Sequence, residues 1–304
     1  MTRGSGPAPA RVLAGIGLTV VACAFFAVMD TTSQYLMVTG VPLVLGVWGR
    51  YFFQAVATSL VAIPVRGRQV LQTRRLPFHL LRGALLFTGT LFVFASLRYM
   101  QVGELTAIIM IAPLVTTLLG PLLLKEKVTP VRWVLVAVAF AGTMVIIRPG
   151  GSAFSWVMVL PLCQVASNVA FQIVTSKLAR TENPLTMHMY TGWTGAALAT
   201  LILPYAWPGF PSLHTWSLLL LMGLIGAIGH FLLILAFQRA PATTLMPYLY
   251  IQIAFAVLCG LALFGHSPDA WSFAGMGLIA ACGVAGAWLT LLQMRRAPAI
   301  AGAT

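Results

Sequence analysis

Apolar residues run along this chain in long blocks, separated by short clusters of Pro, Gly, Lys and Arg. A helix crossing roughly 30 Å of hydrocarbon needs about 20 mainly apolar residues. The blocks predict ten such helices: Val12–Met37, Val41–Pro64, Phe78–Leu97, Glu104–Leu124, Pro130–Ile147, Phe154–Ser176, Leu185–Ala206, Trp216–Phe237, Thr243–Phe264 and Ala270–Leu292. No connection between them is long enough for a soluble domain, so any activity has to sit inside the bundle. Basic residues supply the orientation. With the N-terminus in the cytoplasm, every Lys and Arg except Arg50, Arg98 and Arg148 falls at or near the inner side. That is the bias expected of cytoplasmic loops. Adding or removing one span would put the later basic loops on the wrong face. Both termini are therefore expected in the cytoplasm, with the short basic stretch Met1–Arg11 flanking a first spanning helix rather than a cleaved signal.

Composition agrees with lipid as the main solvent. The chain has 304 residues, 60% hydrophobic and 8% charged, with a mean hydropathy of +0.94. Soluble domains carry about 25% charged residues. The net charge of +13 is scattered between apolar runs and forms no face that could follow a phosphate backbone, so nucleic acid is not an expected partner. Cys23, Cys163, Cys259 and Cys282 lie inside apolar runs without CxxC or zinc-ligand spacing. No metal or cofactor is expected. The chain has no phosphate loop, HExxH or GxSxG motif, and Asp30 is the one Asp within a span, so paired acids are missing. An enzyme is not expected.

The chain also resembles itself. A shift of 142 residues lays Pro42, Leu43 and Ala57 on Pro184, Leu185 and Ala199; a shift of 140 lays Leu105, Ile111 and Gly120 on Leu245, Ile251 and Gly260. Both map helices one to five onto six to ten. Five is odd, so the second copy enters the membrane from the opposite side. The fold class expected is an all-α integral membrane protein, ten transmembrane helices as two inverted five-helix repeats over residues 1–149 and 150–304. Transporters with alternating access have that architecture.

Polar residues inside the spans are the candidates for function. A central Asp or Arg costs roughly 2.5–3.5 kcal/mol on insertion scales, so it usually faces a cavity or a partner. Asp30 and Arg50 lie roughly 10 and 13 Å from the outer ends of the first two helices, at 1.5 Å per residue. Their similar depth leaves two readings open: an ion pair locking the helices, or a site for substrate or a coupling proton. Gln164, Ser167, Asn168 and Gln172 share one face of the sixth helix, and Tyr248 and Gln252 share one face of the ninth. Gln164, Asn168, Tyr248 and Gln252 are expected around a mid-membrane cavity. Glu104 opens the fourth helix at the outer surface, where the backbone dipole favours a carboxylate, with Arg98 ending the third helix nearby; a gate between the two is the alternative. Glu126 reads as an inner-turn element, and His230 as a hydrogen-bonded core residue. Pro113 and Pro161 are candidate kinks, and Gly223, Gly226 and Gly229 a close-packing face.

Several of these residues fall in one recognisable stretch. An aromatic-rich third helix ends in Ser96-Leu97-Arg98-Tyr99. Ala112-Pro113, the turn Leu124-Lys125-Glu126, and Ala141-Gly142 before Arg148-Pro149 follow it. This pattern resembles the EamA-type drug/metabolite transporter superfamily, with one departure: His266 stands where the second copy would match Glu126. Asp30–Tyr35 (DTTSQY) and Trp48–Tyr51 (WGRY) are similar to bacterial members linked to riboflavin or S-adenosylmethionine uptake. The resemblance implies a bacterial inner-membrane carrier of small metabolites, driven by protons or by exchange rather than by its own ATP hydrolysis. A passive channel or a membrane scaffold is the alternative, although no segment reads as a filter. Expected partners are a small-molecule substrate and the lipid bilayer, with a homodimer left open.

Overall fold

A computed structural model describes residues 9–96, 99, 108–147, 159–206, 209, 211–265 and 269–301, and all regular structure among them is helical. In chain order the helices are α1 (Pro9–Val38), α2 (Leu43–Arg66), α3 (Leu76–Ser96), α4 (Ala112–Leu119), α5 (Pro130–Ile147), α6 (Val159–Ala179), α7 (Pro184–Ile202), α8 (Leu213–Arg239), α9 (Ala242–Leu249), α10 (Ile251–Phe264) and α11 (Ala270–Ala301). A 3-10 turn, Gly67–Leu71, follows α2, and a π turn, Gly120–Leu124, extends α4. The described parts of the predicted spans are helical except at Val41–Pro42, at the turn Met110–Ile111 and at Tyr250.

Six segments are long and apolar enough to cross a membrane by length and composition: α1, α3, α6, α8, residues 242–263 of α9–α10, and residues 270–289 of α11. The described apolar parts around α4 and α5 are shorter. Helices α2 and α7 fall outside the six because they are more polar, and the fold shows where that polarity goes. The two pack on each other. Gln54 and Thr58 of α2, and Thr186, His188 and Thr191 of α7, are buried.

The strongest packing joins the first half of the chain to the second. Helix α1 packs on α8 and α3 on α6, α2 packs on α8 and α3 on α7, α1 packs on α10 and α4 on α6, and α5 packs on α11. Small residues let the backbones approach. A Cβ on Gly229 would meet the Phe26 ring at 2.8 Å, and one on Gly223 would meet the Gln54 amide at 3.1 Å. The glycine spacing read from the sequence therefore serves the contact of α8 with α1 and α2.

Two helices are interrupted at matching positions. Before α4 the chain turns at Met110 and Ile111, where the Ile111 amide reaches back only three residues, to the Ile108 carbonyl at 3.1 Å. Pro113 has no N–H, and its ring crowds the carbonyl four residues back, which explains the break there. Pro113 thus opens a helix segment rather than kinking a continuous one. In the second half α9 stops at Leu249 and α10 starts at Ile251, with the Ile253 amide again reaching back three residues, to the Tyr250 carbonyl at 3.1 Å. The 140-residue shift lays Ile111 on Ile251. It also lays Lys125 on Gly265, two left-handed residues that end these helices at φ 55° and 69°.

Candidate functional site

A cavity of about 680 Å³ lies between α1, α2, α3, α4, α6, α8 and α10. Both interrupted segments border it, through Met110, Ala112 and Pro113 on one side and Leu249, Gln252 and Ile253 on the other. Its walls are mainly apolar, with the aromatic side chains Phe26, Phe94 and Phe171 among them. The cavity runs to Met37 and Val38 at the end of α1, Ile146 at the end of α5 and Gly260 near the end of α10. Its volume falls in the range of sites for drug-sized molecules, roughly 300–1,000 Å³.

Asp30 and Arg50 both face this cavity, but they form no ion pair. Of the two readings left open, the direct ion pair is not observed: side-chain direction gives each charge a different neighbour. Asp30 accepts from Gln252 Nε2 at 2.9 Å. Its carboxylate is exposed to the cavity. Arg50 meets His230 Nε2 at 3.1 Å and Thr90 Oγ1 at 3.5 Å, and its Nε has no partner. A guanidinium can only donate, so His230 Nε2 accepts and the ring proton sits on Nδ1. That Nδ1 is buried and also unpartnered. Around Asp30 the helix satisfies its own hydroxyls. Thr31, Thr32 and Ser33 donate to the carbonyls of Ala27, Val28 and Met29 at 2.7, 2.8 and 2.9 Å. This leaves the carboxylate as the group on that turn open to a ligand.

Helix α6 presents Gln164, Asn168 and Gln172 to the cavity, while Ser167 packs beside Gly89 of α3. Gln172 Nε2 donates to Asn168 Oδ1 at 2.5 Å, and the Oε1 atoms of Gln164 and Gln172 are buried without partners. Gln252 lines the cavity as expected; Tyr248 does not. Tyr248 is buried with its ring against Gly286 of α11. The four-residue spacing fails here because the interruption at Tyr250 lies between the two residues, so they no longer share a helix face. Arg98 and Glu104 lie outside the described residues.

The cavity wall also holds Gln34, which the sequence left unassigned, and His230, read there as a hydrogen-bonded core residue; a set of polar ties lies at the far end. Glu126 is buried after the π turn. It accepts from the amides of Ala242 and Thr243 at 3.2 and 3.0 Å, from Thr243 Oγ1 at 2.9 Å and from Arg180 at 2.8 Å. It thus caps α9, a helix of the other half. Glu182 accepts from Thr73 at 3.0 Å and meets His79 Nε2 at 3.2 Å. Arg82, counted above as a flanking charge, is 1% exposed. It donates to Thr175 Oγ1 at 2.7 Å, to the Met187 carbonyl at 3.0 Å and to Thr191, and it lies over the Phe171 ring at 4.7 Å. Each of these contacts joins the two halves. Two signals marked Glu126 in the sequence, its turn and its sign among lysines; the partners were invisible because they lie more than fifty residues away.

Comparison with known proteins places this geometry. The EamA-like transporter family model matches residues 13–148 and again 152–291. A riboflavin transporter of Rhizobium johnstonii is 29% identical, over 89% of this chain and 90% of its own. An S-adenosylmethionine uptake transporter of Rickettsia conorii is 27% identical, over 88% of this chain and 90% of its own. A pseudopaline exporter of Pseudomonas aeruginosa is 26% identical, over 75% and 81%. A crystal structure at 20% identity shares the fold, with a TM-score of 0.74 over 95% of this chain and 99% of that one. With a family match over both halves, apolar spanning helices and transporters along its length as relatives, this chain is a multi-pass membrane protein that belongs to the EamA-like transporter family.

Proposed function

We propose that this protein is a secondary transporter of a small metabolite in the bacterial inner membrane, working by alternating access. In this reading its ten helices form two inverted five-helix repeats, residues 1–149 and 150–304. The observation that carries it is the pair of interrupted helices bordering one cavity, at positions 140 residues apart. Broken helices at corresponding places in two halves mark the binding site of such carriers. Two further observations support it. The family model matches twice, and the packing pairs are preserved when the halves are exchanged: α1 on α8 as α6 on α3, α2 on α8 as α7 on α3.

Orientation by the basic residues puts both termini in the cytoplasm and turns outward the end of the cavity that reaches Met37, Val38, Ile146 and Gly260. The end tied by Glu126, Glu182 and Arg82 is then the cytoplasmic one, and the conformation is open to the outside. Opening inward requires those ties to release. The named relatives favour a riboflavin- or S-adenosylmethionine-like metabolite, carried in exchange or with protons. Asp30 and His230 are the groups lining the cavity able to take up a proton.

Reconstitution tests the reading. Purified protein in liposomes should accumulate substrate against its gradient, either abolished by an uncoupler or sustained by substrate loaded inside. Mere equilibration, unaffected by either, would identify a passive channel instead.

A further inference from the structure

Among the described residues that line the cavity, one cation and one anion stand without satisfying each other. An ionised carboxylate offers about four acceptor positions and a guanidinium five N–H donors. Asp30 receives one protein hydrogen bond, from Gln252. Arg50 makes two, one of them at the limiting distance of 3.5 Å, and its Nε makes none. Both partners of Arg50 are neutral, as is that of Asp30. A structural ion pair would have joined the two directly and emptied the cavity of charge. Instead each projects an unneutralised charge into the same space. Charges held apart in this way at membrane depth are retained only where something else compensates them.

We infer that the substrate is a zwitterion carried on an aromatic body, its cationic group held by Asp30 and Gln252 and its carboxylate by Arg50. This rests on the transporter reading above and narrows it. A ligand with a charge of each sign gives both Asp30 and Arg50 a counter-charge, as the ammonium or sulfonium and the carboxylate of S-adenosylmethionine would, which lowers the cost of moving the site between two openings. The ring of the ligand lies against Phe26, Phe94 or Phe171, which line the same cavity. An uncharged ring compound would leave both Asp30 and Arg50 desolvated without counter-charge. A purely cationic one would leave Arg50 so.

Three probes separate these cases in binding measurements on the purified full chain: S-adenosylmethionine, its decarboxylated form, and uncharged riboflavin. The wild type should bind S-adenosylmethionine about tenfold more tightly than either of the others, the usual scale for a buried charge contact. Arg50→Gln should erase the difference between the two adenosyl compounds, while Arg50→Lys, which keeps the charge, should retain most of it. Asp30→Asn should weaken both adenosyl compounds and leave riboflavin unchanged. Melting curves check that each variant is folded, and Arg50→Lys still decides the matter if Arg50→Gln is not. Equal binding of the carboxylated and decarboxylated forms overturns the inference, and so does riboflavin binding as tightly as either. Uptake of the same probes into vesicles reads the transporter proposal separately. Riboflavin uptake without zwitterion preference removes only the substrate class. Zwitterion-selective binding without uptake of any probe removes only transport.

Discussion

Replacing Glu126 by alanine should unlock the end of the bundle opposite the cavity mouth. The carboxylate holds the Ala242 and Thr243 amides, the Thr243 hydroxyl and Arg180. Hydrogen bonds to a charged group contribute about 1.5–3 kcal/mol each when isolated, but four bonds sharing one anion do not add. Loss of a helix cap alone costs about 0.5–2 kcal/mol. The Arg180 side chain is 50% exposed, so its pairing adds little after solvent screening. The helix dipole adds up to about 1 kcal/mol more. The combined loss is then about 2–3 kcal/mol, borne by the state in which this end is closed. A shift of that size changes the ratio of the two openings by about 30-fold or more, at tenfold per 1.4 kcal/mol. The assay is labelling of a single cysteine at Gln172, which lines the cavity, in a background without the native cysteines. Membrane-impermeant maleimide is applied to right-side-out or inside-out vesicles. Labelling from the cytoplasmic face should rise at least tenfold in Glu126→Ala, with Glu126→Gln between the variant and the wild type. A fall in melting temperature with no change in the labelling ratio would refute the lock and leave Glu126 a helix cap only.

Three other perturbations follow from the packing and the charges. A Cβ added at Gly195 falls into the Tyr51 ring, whose hydroxyl is fixed by Thr90 at 2.9 Å. Gly195→Ala should cost about 1–3 kcal/mol by overpacking, read as a lower melting temperature, while Gly17→Ala, in open space, should cost nothing measurable. Arg82→Lys keeps the charge but not the fork that reaches Thr175, the Met187 carbonyl and Thr191 at once; it should lower stability by about 2 kcal/mol, and an unchanged melting curve would show the fork to be dispensable. A reporter fused after Arg296 should be active in the cytoplasm; a periplasmic signal would remove the ten-helix topology.

Sequence by itself determined what depends on the solvent and on local spacing. Long apolar runs can satisfy their backbone in lipid only as helices, so the class was legible from composition and block length. The motif around Ala112-Pro113 and Leu124-Lys125-Glu126 carried the family. The polar face of α6 was legible because Gln164, Asn168 and Gln172 lie on one unbroken helix, whose 3.6-residue period fixes which side chains share a side. Only the tertiary structure decided what depends on helix rotation and on partners distant in sequence. Tyr248 turns away from the cavity because the interruption at Tyr250 resets the helical phase between it and Gln252. Asp30 finds Gln252, 222 residues away, rather than Arg50 at the same depth. Depth along a helix is set by counting residues, but the direction a side chain faces is set by how neighbouring helices pack. That packing also gave Glu126 its role. A carboxylate in a turn between two lysines is locally a surface charge, and it becomes the cap of α9 only because the two halves bring the Ala242 and Thr243 amides to it.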